Sequence, residues 1–149
     1  SGTRDLGTSS APFATIHGES TSAQYADLAE MFSPDTQYVP GTIVALGGVA
    51  EITAANEELA EDVFGVISTQ PAYLMNSTLD NGQPVAVAGR VPVRVIGMVN
   101  KGDRLVSAGN GLARSATSSE ITSFNVIGRS LDSKTTMEEG TVEAFVTIN

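Results

Sequence analysis

The sequence predicts an all-β fold, organised as a duplicated small barrel or sandwich. From Pro40 onward the apolar runs are short, rich in β-branched residues and bounded by Gly or Asn, as is typical of strands joined by tight turns. A pattern of turns and strands that recurs at a spacing of about 60 residues predicts that both halves share one unit. The clearest strand-like runs are residues 42–46, 63–67, 91–96 and 142–148.

Residues 1–22 form a lead-in segment with a different composition, rich in Ser, Thr and Gly. Its sizeable apolar residues are Leu6, Phe13 and Ile16, which are too few to bury a core within one chain. Two interpretations follow. Either the segment is a disordered tail, or these three side chains pack against copies of themselves around an axis.

Residues 23–149 are expected to form one globular β domain containing the two repeats, 40–97 and 101–149. The alignment places Gly41 and Gly102 at equivalent turns, where we expect positive φ angles that only glycine adopts without strain. The other aligned pairs are Gly48 with Gly109, Phe64 with Phe124, and Gly82 with Gly140.

Two Asn-Gly pairs, at 81–82 and 110–111, predict β-hairpins, because both central residues of a type I′ turn need positive φ. Pro92 interrupts a strand pattern and has no N–H to donate to a sheet. It therefore predicts an edge strand or a bulge.

Helical structure is expected to be limited to one or two short turns. Residues 54–62 contain good helix formers, with acidic residues early in the segment. Residues 23–32 are ambiguous between helix and strand. Tyr25, Leu28, Ala29 and Phe32 have the spacing of a helical apolar stripe, which Ser33-Pro34 would end.

The most informative stretch is residues 25–32, with Asp27-Leu28-Ala29-Glu30 as its core. It follows a lead-in that reads Leu-Gly-Thr-Ser-Ser at 6–10 and Phe-Ala-Thr-Ile-His-Gly at 13–18. This order resembles the junction in phage tail fibres and appendages at which a thin shaft meets a globular C-terminal domain. The domain resembles the family of intramolecular chaperone and autoproteolytic cleavage domains, whose cleavage motif reads D-Y-A-E. Leu28 stands where that motif has Tyr.

The resemblance implies a virion structural protein, made in the host cytoplasm, whose C-terminal domain joins three chains and starts the folding of the shaft. The implied partners are two further copies of the chain, neighbouring fibre proteins and a host surface receptor. It also implies an alternative: self-cleavage at the Ala26–Asp27 bond, with Asp27 and Glu30 as catalytic residues. We expect the uncut form, since Ala26 offers no nucleophile. A receptor-binding or capsid-decoration module is the other alternative.

The geometry of Asp27 and Glu30 depends on the local structure. In a helix, residues three apart lie side by side, and their carboxyl groups could share a proton. In a strand, an odd spacing directs them to opposite faces, and a pair would then need a carboxylate from another chain.

Composition excludes several other functions. The formal net charge of −9 disfavours nucleic acid and anionic membranes as partners. Without cysteine, and with His17 as the single histidine, the chain offers no thiolate chemistry and no histidine-rich metal site, so we expect no cofactor. The scattered basic residues are expected to pair with acidic residues between subunits. They are Arg90, Arg94, Lys101, Arg104, Arg114 and Arg129.

Overall fold

The computed structural model describes residues 6–8, 10–16 and 22–148. Within that part of the chain the fold is all-β, as predicted, and contains no helix. The ten strands are β1 (Asp27–Phe32), β2 (Ile43–Leu46), β3 (Ile52–Ala54), β4 (Val63–Ile67), β5 (Tyr73–Met75), β6 (Gln83–Val95), β7 (Arg104–Gly109), β8 (Leu112–Ser115), β9 (Gly128–Ser130) and β10 (Gly140–Thr147).

Five strands close into a barrel in the order β6-β10-β9-β7-β8. β10 runs antiparallel to the second half of β6, and β9, β7 and β8 follow in antiparallel pairs. The barrel closes where β8 meets β6 in parallel, at Ala113 opposite Val95.

The remaining strands extend from the first half of β6. β1 lies antiparallel along one side of β6, and β5 adds to β1 in parallel. β4 pairs with β6, and β2 and β3 follow in antiparallel order. β6 therefore belongs to both parts of the molecule, and its 13 residues explain how the parts are joined.

The two halves of the chain pair their strands in the same pattern. The order β3-β2-β4-β6 in the first half corresponds to β8-β7-β9-β10 in the second, and every pair is antiparallel. The hairpin registers also correspond, since Val44 faces Ala54 and Leu105 faces Ser115.

Gly41 and Gly102 occupy corresponding turns with φ angles of 85° and 92°, which confirms the predicted positive φ. The N–H of Gly41 donates to the Ile67 oxygen, and that of Gly102 donates to the Ser130 oxygen, both at 2.8 Å.

The alignment of Phe64 with Phe124 is wrong. Ile43 pairs with Val66, and Arg104 pairs with Arg129, so Val66 corresponds to Arg129. Phe124 lies in the longer connection before β9, outside any strand.

Only one of the two expected Asn-Gly hairpins forms. Asn110 and Gly111, with φ angles of 54° and 70°, join β7 to β8 directly. Asn81 also has positive φ, but Gly82 does not, and this turn connects β5 to β6, which are not paired with each other.

The expected helical turns at 54–62 do not form either. The N–H of Ala55 donates to the Ile43 oxygen at 3.1 Å, and that of Leu59 donates to the Ser107 oxygen at 2.9 Å. Leu59 also has a φ of 56°, outside the helical range. Hydrogen bonds to neighbouring strands have replaced those that a helix would make.

Two apolar clusters fill the interior. The larger lies in and beside the barrel and includes Val91, Val93 and Leu105. The smaller consists of Val44, Ile52, Ile67 and Val85, and it is covered by Phe32, Tyr38 and Phe64. Phe32 and Phe64 meet edge to face with ring centroids 5.0 Å apart, a favourable aromatic geometry.

Candidate functional site beside Ala26 and Asp27

A cleft of about 230 Å³ opens beside the Ala26–Asp27 peptide bond, where β6 has a neighbouring strand on one side only. Pro92 pairs with Glu143 of β10 on that side. On the other side, the N–H of Arg90 donates to the Ala26 oxygen and the N–H of Arg94 donates to the Gly41 oxygen. Pro92 lies between these two bonds, where no strand is present to accept a hydrogen bond from its nitrogen. β6 is therefore an interior strand with a short unpaired stretch at Pro92, instead of the expected edge strand.

Asp27 is buried, with 6% of its surface exposed. Its Oδ2 accepts a hydrogen bond of 2.6 Å from the Ser68 hydroxyl. The Asp27 main-chain oxygen accepts from the Ala72 N–H at 2.9 Å, and the Ala26 oxygen accepts from the Arg90 N–H at 3.0 Å. The Ala26–Asp27 segment is thus held by hydrogen bonds to two different parts of the fold.

Gly89 permits this close approach. A Cβ at this position would lie 2.2 Å from the Ala26 oxygen, and Gly89 has a φ of 106°, in the region that favours glycine. A glycine in β6 is therefore a local requirement for packing β1 against it.

Asp27 and Glu30 do not come together. Residues 27–32 form strand β1, so the spacing of three directs the two side chains to opposite faces. Asp27 faces the interior, while Glu30 is half-buried opposite Val85 and Met75. One chain therefore contains no carboxylate pair made from these two residues.

The second carboxylate at the cleft is Glu143, which lines it together with the exposed Arg90. The cleft therefore has two carboxylates, Asp27 and Glu143, and the hydroxyls of Tyr25, Ser68 and Thr69. Sequence reasoning missed Ser68 and Glu143, because both reach the cleft through pairings between distant strands and carry no local signal.

Two of the arginines that were expected to pair between subunits pair within the chain instead. Arg94 donates from Nε to Glu139 at 2.9 Å. Arg114 contacts both Glu58 and Glu120, at 2.7 and 2.8 Å. Hydrogen bonds from Arg114, followed by those from Thr117, lower the pKa of Glu120 to about 2.

The lead-in side chains Leu6, Phe13 and Ile16 are exposed to 70%, 58% and 67% in the single chain. The main-chain hydrogen bonds between Thr8 and Ala11 stay within this segment. His17 lies outside the described residues. Among the residues that are described, no group of His, Cys, Asp and Glu could hold a metal ion, and no helix could span a membrane.

No family model and no curated protein sequence matches the chain. Its fold, however, is one already seen in a bacteriophage protein. The chain is similar to pre-mature bacteriophage phi29 gene product 12, with a TM-score of 0.68 and 14% identity over 89% of this chain, but over only 23% of that protein. It is also similar to the C-terminal fragment of phi29 gene product 12, with a TM-score of 0.61 and 15% identity.

The match to that fragment covers 81% of this chain and 100% of the fragment. At this identity the likeness establishes a shared fold. This chain therefore matches the C-terminal portion of phi29 gene product 12, which is a much longer protein.

Proposed function

We propose that this chain is the C-terminal domain of a phage tail appendage, where it joins three copies of itself and fixes the start of a shaft. The observation that carries the proposal is the likeness to the whole C-terminal fragment of phi29 gene product 12. In this role the protein is part of the virion, made in the host cytoplasm, with neighbouring appendage proteins and a host receptor as further partners.

The lead-in supports the same role. Leu6, Phe13 and Ile16 are exposed in one chain, and burying them requires other chains. A Ser- and Thr-rich shaft loses much conformational entropy on ordering and gains little apolar burial per chain. A globular domain that first brings three chains together raises their effective concentration and offsets part of that loss.

The test is the mass of the assembly in solution, measured by light scattering. We expect three chains of 15.4 kDa each. Replacing Leu6, Phe13 and Ile16 with Ser should weaken the association of the three chains. The control is Val49→Ser, because Val49 is an apolar, 96% exposed residue outside the lead-in. A monomer at micromolar concentration would contradict the proposal.

Self-cleavage before Asp27 is the second candidate function, favoured by the cleft beside this bond. Hydrolysis would add water across the Ala26–Asp27 bond, leaving a carboxylate on Ala26 and an amine on Asp27. Since Asp27 and Glu30 lie on opposite faces of β1, Asp27 would need a different second carboxylate, and Glu143 lines the same cleft.

Intact-mass measurements over time on fresh protein separate the two candidates. A product that begins at Asp27, suppressed by Asp27→Asn and by Glu143→Gln in folded protein, would support cleavage. Glu30→Gln is the control, because Glu30 lies on the opposite face of β1 from Asp27 and its loss should leave the rate of cleavage unchanged. A constant full-length mass supports the uncut structural role, which we expect.

A further inference from the structure

Four exposed residues form one row across the outside of the barrel. Arg90 of β6 faces Phe145 of β10, Phe145 faces Arg129 of β9, and Arg129 faces Arg104 of β7. Residues directly opposite each other in an antiparallel sheet point to the same side. We call these four residues the basic row. Two of its members, Arg129 and Phe145, line a largely apolar groove of about 510 Å³.

The positive charges of the basic row have no carboxylate partner in the described part of the chain. The ion pairs found there involve Arg94 and Arg114 only. Arg129 donates one hydrogen bond, to the Gly102 oxygen. Arg104 and Arg129 stand directly opposite each other, and like charges at such positions destabilise a sheet. External carboxylates would relieve this repulsion.

The internal repeat shows what the same surface does in the first half of the chain. There the corresponding row consists of Ile43, Val66 and Ala86, which pair across the strands in the same way. All three are 0% exposed, because the rest of the chain covers them. The second half leaves its corresponding surface open, with Phe145 exposed to 52%.

The chain also carries an exposed acidic loop between β3 and β4, whose carboxylates are Glu57, Glu58, Glu61 and Asp62. Glu58 pairs with Arg114, and Glu61 accepts a hydrogen bond from Thr122. Glu57 and Asp62 make no ion pair with the described residues. This loop meets β7 at Ala108, the opposite end of the strand from Arg104.

We propose that the basic row of one copy docks against the acidic loop of the next copy. Identical chains with a net charge of −9 repel one another unless their contact brings opposite charges together. Because row and loop are different surfaces, the contact is head to tail, the kind that closes into a ring when the rotation allows. This inference rests on the proposed trimer and names the surfaces that form it.

The test uses charge reversal in the full chain, with assembly measured by analytical ultracentrifugation. Reversing the row with Arg104→Glu and Arg129→Glu, or the loop with Glu57→Lys and Asp62→Lys, should each weaken association about tenfold or more. Combining all four changes in one chain should restore association, because the row is then acidic and the loop basic. The control is Asp80→Lys with Glu138→Lys, which changes the net charge as the loop variant does and should leave association intact.

Circular dichroism checks that each variant folds, and Arg104→Gln with Arg129→Gln provides a milder change that should also weaken assembly. Assembly that persists unchanged in both reversed variants would overturn the docking while leaving the proposed trimer in place. A monomeric wild type would contradict the trimer itself. If that monomer bound poly-L-glutamate through the row, the occupant would be another acidic partner, and self-docking would be wrong.

Discussion

The hydroxyl of Ser68 donates a hydrogen bond of 2.6 Å to the buried carboxylate of Asp27. Ser68 follows β4 and Asp27 begins β1, and these two strands lie on opposite sides of β6. The bond therefore ties together two strands that are not neighbours in the sheet. It also fixes the side chain next to the Ala26–Asp27 peptide bond.

Ser68→Ala should lower the free energy of unfolding by about 1 to 3 kcal/mol, because it leaves a buried carboxylate without this donor. Urea denaturation measures the change. Ser77→Ala, at an exposed Ser, is the control and should be within about 0.5 kcal/mol of wild type. An equally small effect at Ser68 would mean that water replaces the hydroxyl.

Gly65→Ala and Gly128→Ala should both destabilise the protein by about 1 to 3 kcal/mol or more through overpacking. A Cβ at Gly65 would lie 2.7 Å from the Ala86 oxygen, and a Cβ at Gly128 would lie 2.3 Å from the Phe145 oxygen. These contacts occupy corresponding places in the two halves. Thermal unfolding measures the loss, and a tolerated Ala at either site would argue against the close approach.

Gly41→Val and Gly102→Val should differ, although both glycines have positive φ. At Gly102 the space is open, so Val should cost only backbone strain, about 1 to 3 kcal/mol. At Gly41 a Cβ would also lie 3.1 Å from the Arg94 nitrogen, which adds a steric cost. Denaturant titration should therefore rank Gly41→Val as the less stable, and the reverse order would contradict this reasoning.

Glu120 should make stability depend on pH in the acidic range. Its pKa in the folded protein is about 2, below the ordinary value of 4.5, mainly because of hydrogen bonds from Arg114. The stabilisation is therefore complete above pH 4.5 and is lost as the pH falls toward 2. Glu120→Gln should be less stable than wild type at pH 7, with the difference shrinking over this range in thermal unfolding curves. Glu138→Gln serves as the exposed control.

The sequence was sufficient to predict the all-β class, the turn at Asn110-Gly111 and the positive φ at Gly41 and Gly102, because each depends on local residue preferences. It could not decide between helix and strand at residues 23–32. There the helical spacing of apolar residues was overridden by pairing with β5 and β6, a contact between distant segments.

The candidate site was predictable only in part. The motif drew attention to Asp27, which does line a cleft, and the strand geometry separates it from Glu30. Ser68 and Glu143 join the site through β4 and β10, and their positions depend on strand register across the whole fold. Register of this kind is set by the packing of both faces and by the turns, so a single motif does not reveal it.

Closure of the barrel has a consequence for aggregation. In the described part of the chain, the strands that pair with a single other strand are β3 and β5, and each has three residues. The outer edge of β3 is also covered, because Ile52 exchanges main-chain hydrogen bonds with Ser33 and Asp35. Long unpaired edges are what allow sheets of separate molecules to join and grow into fibrils. Edges this short offer a second molecule little main chain to pair with, even where many copies of the chain lie close together.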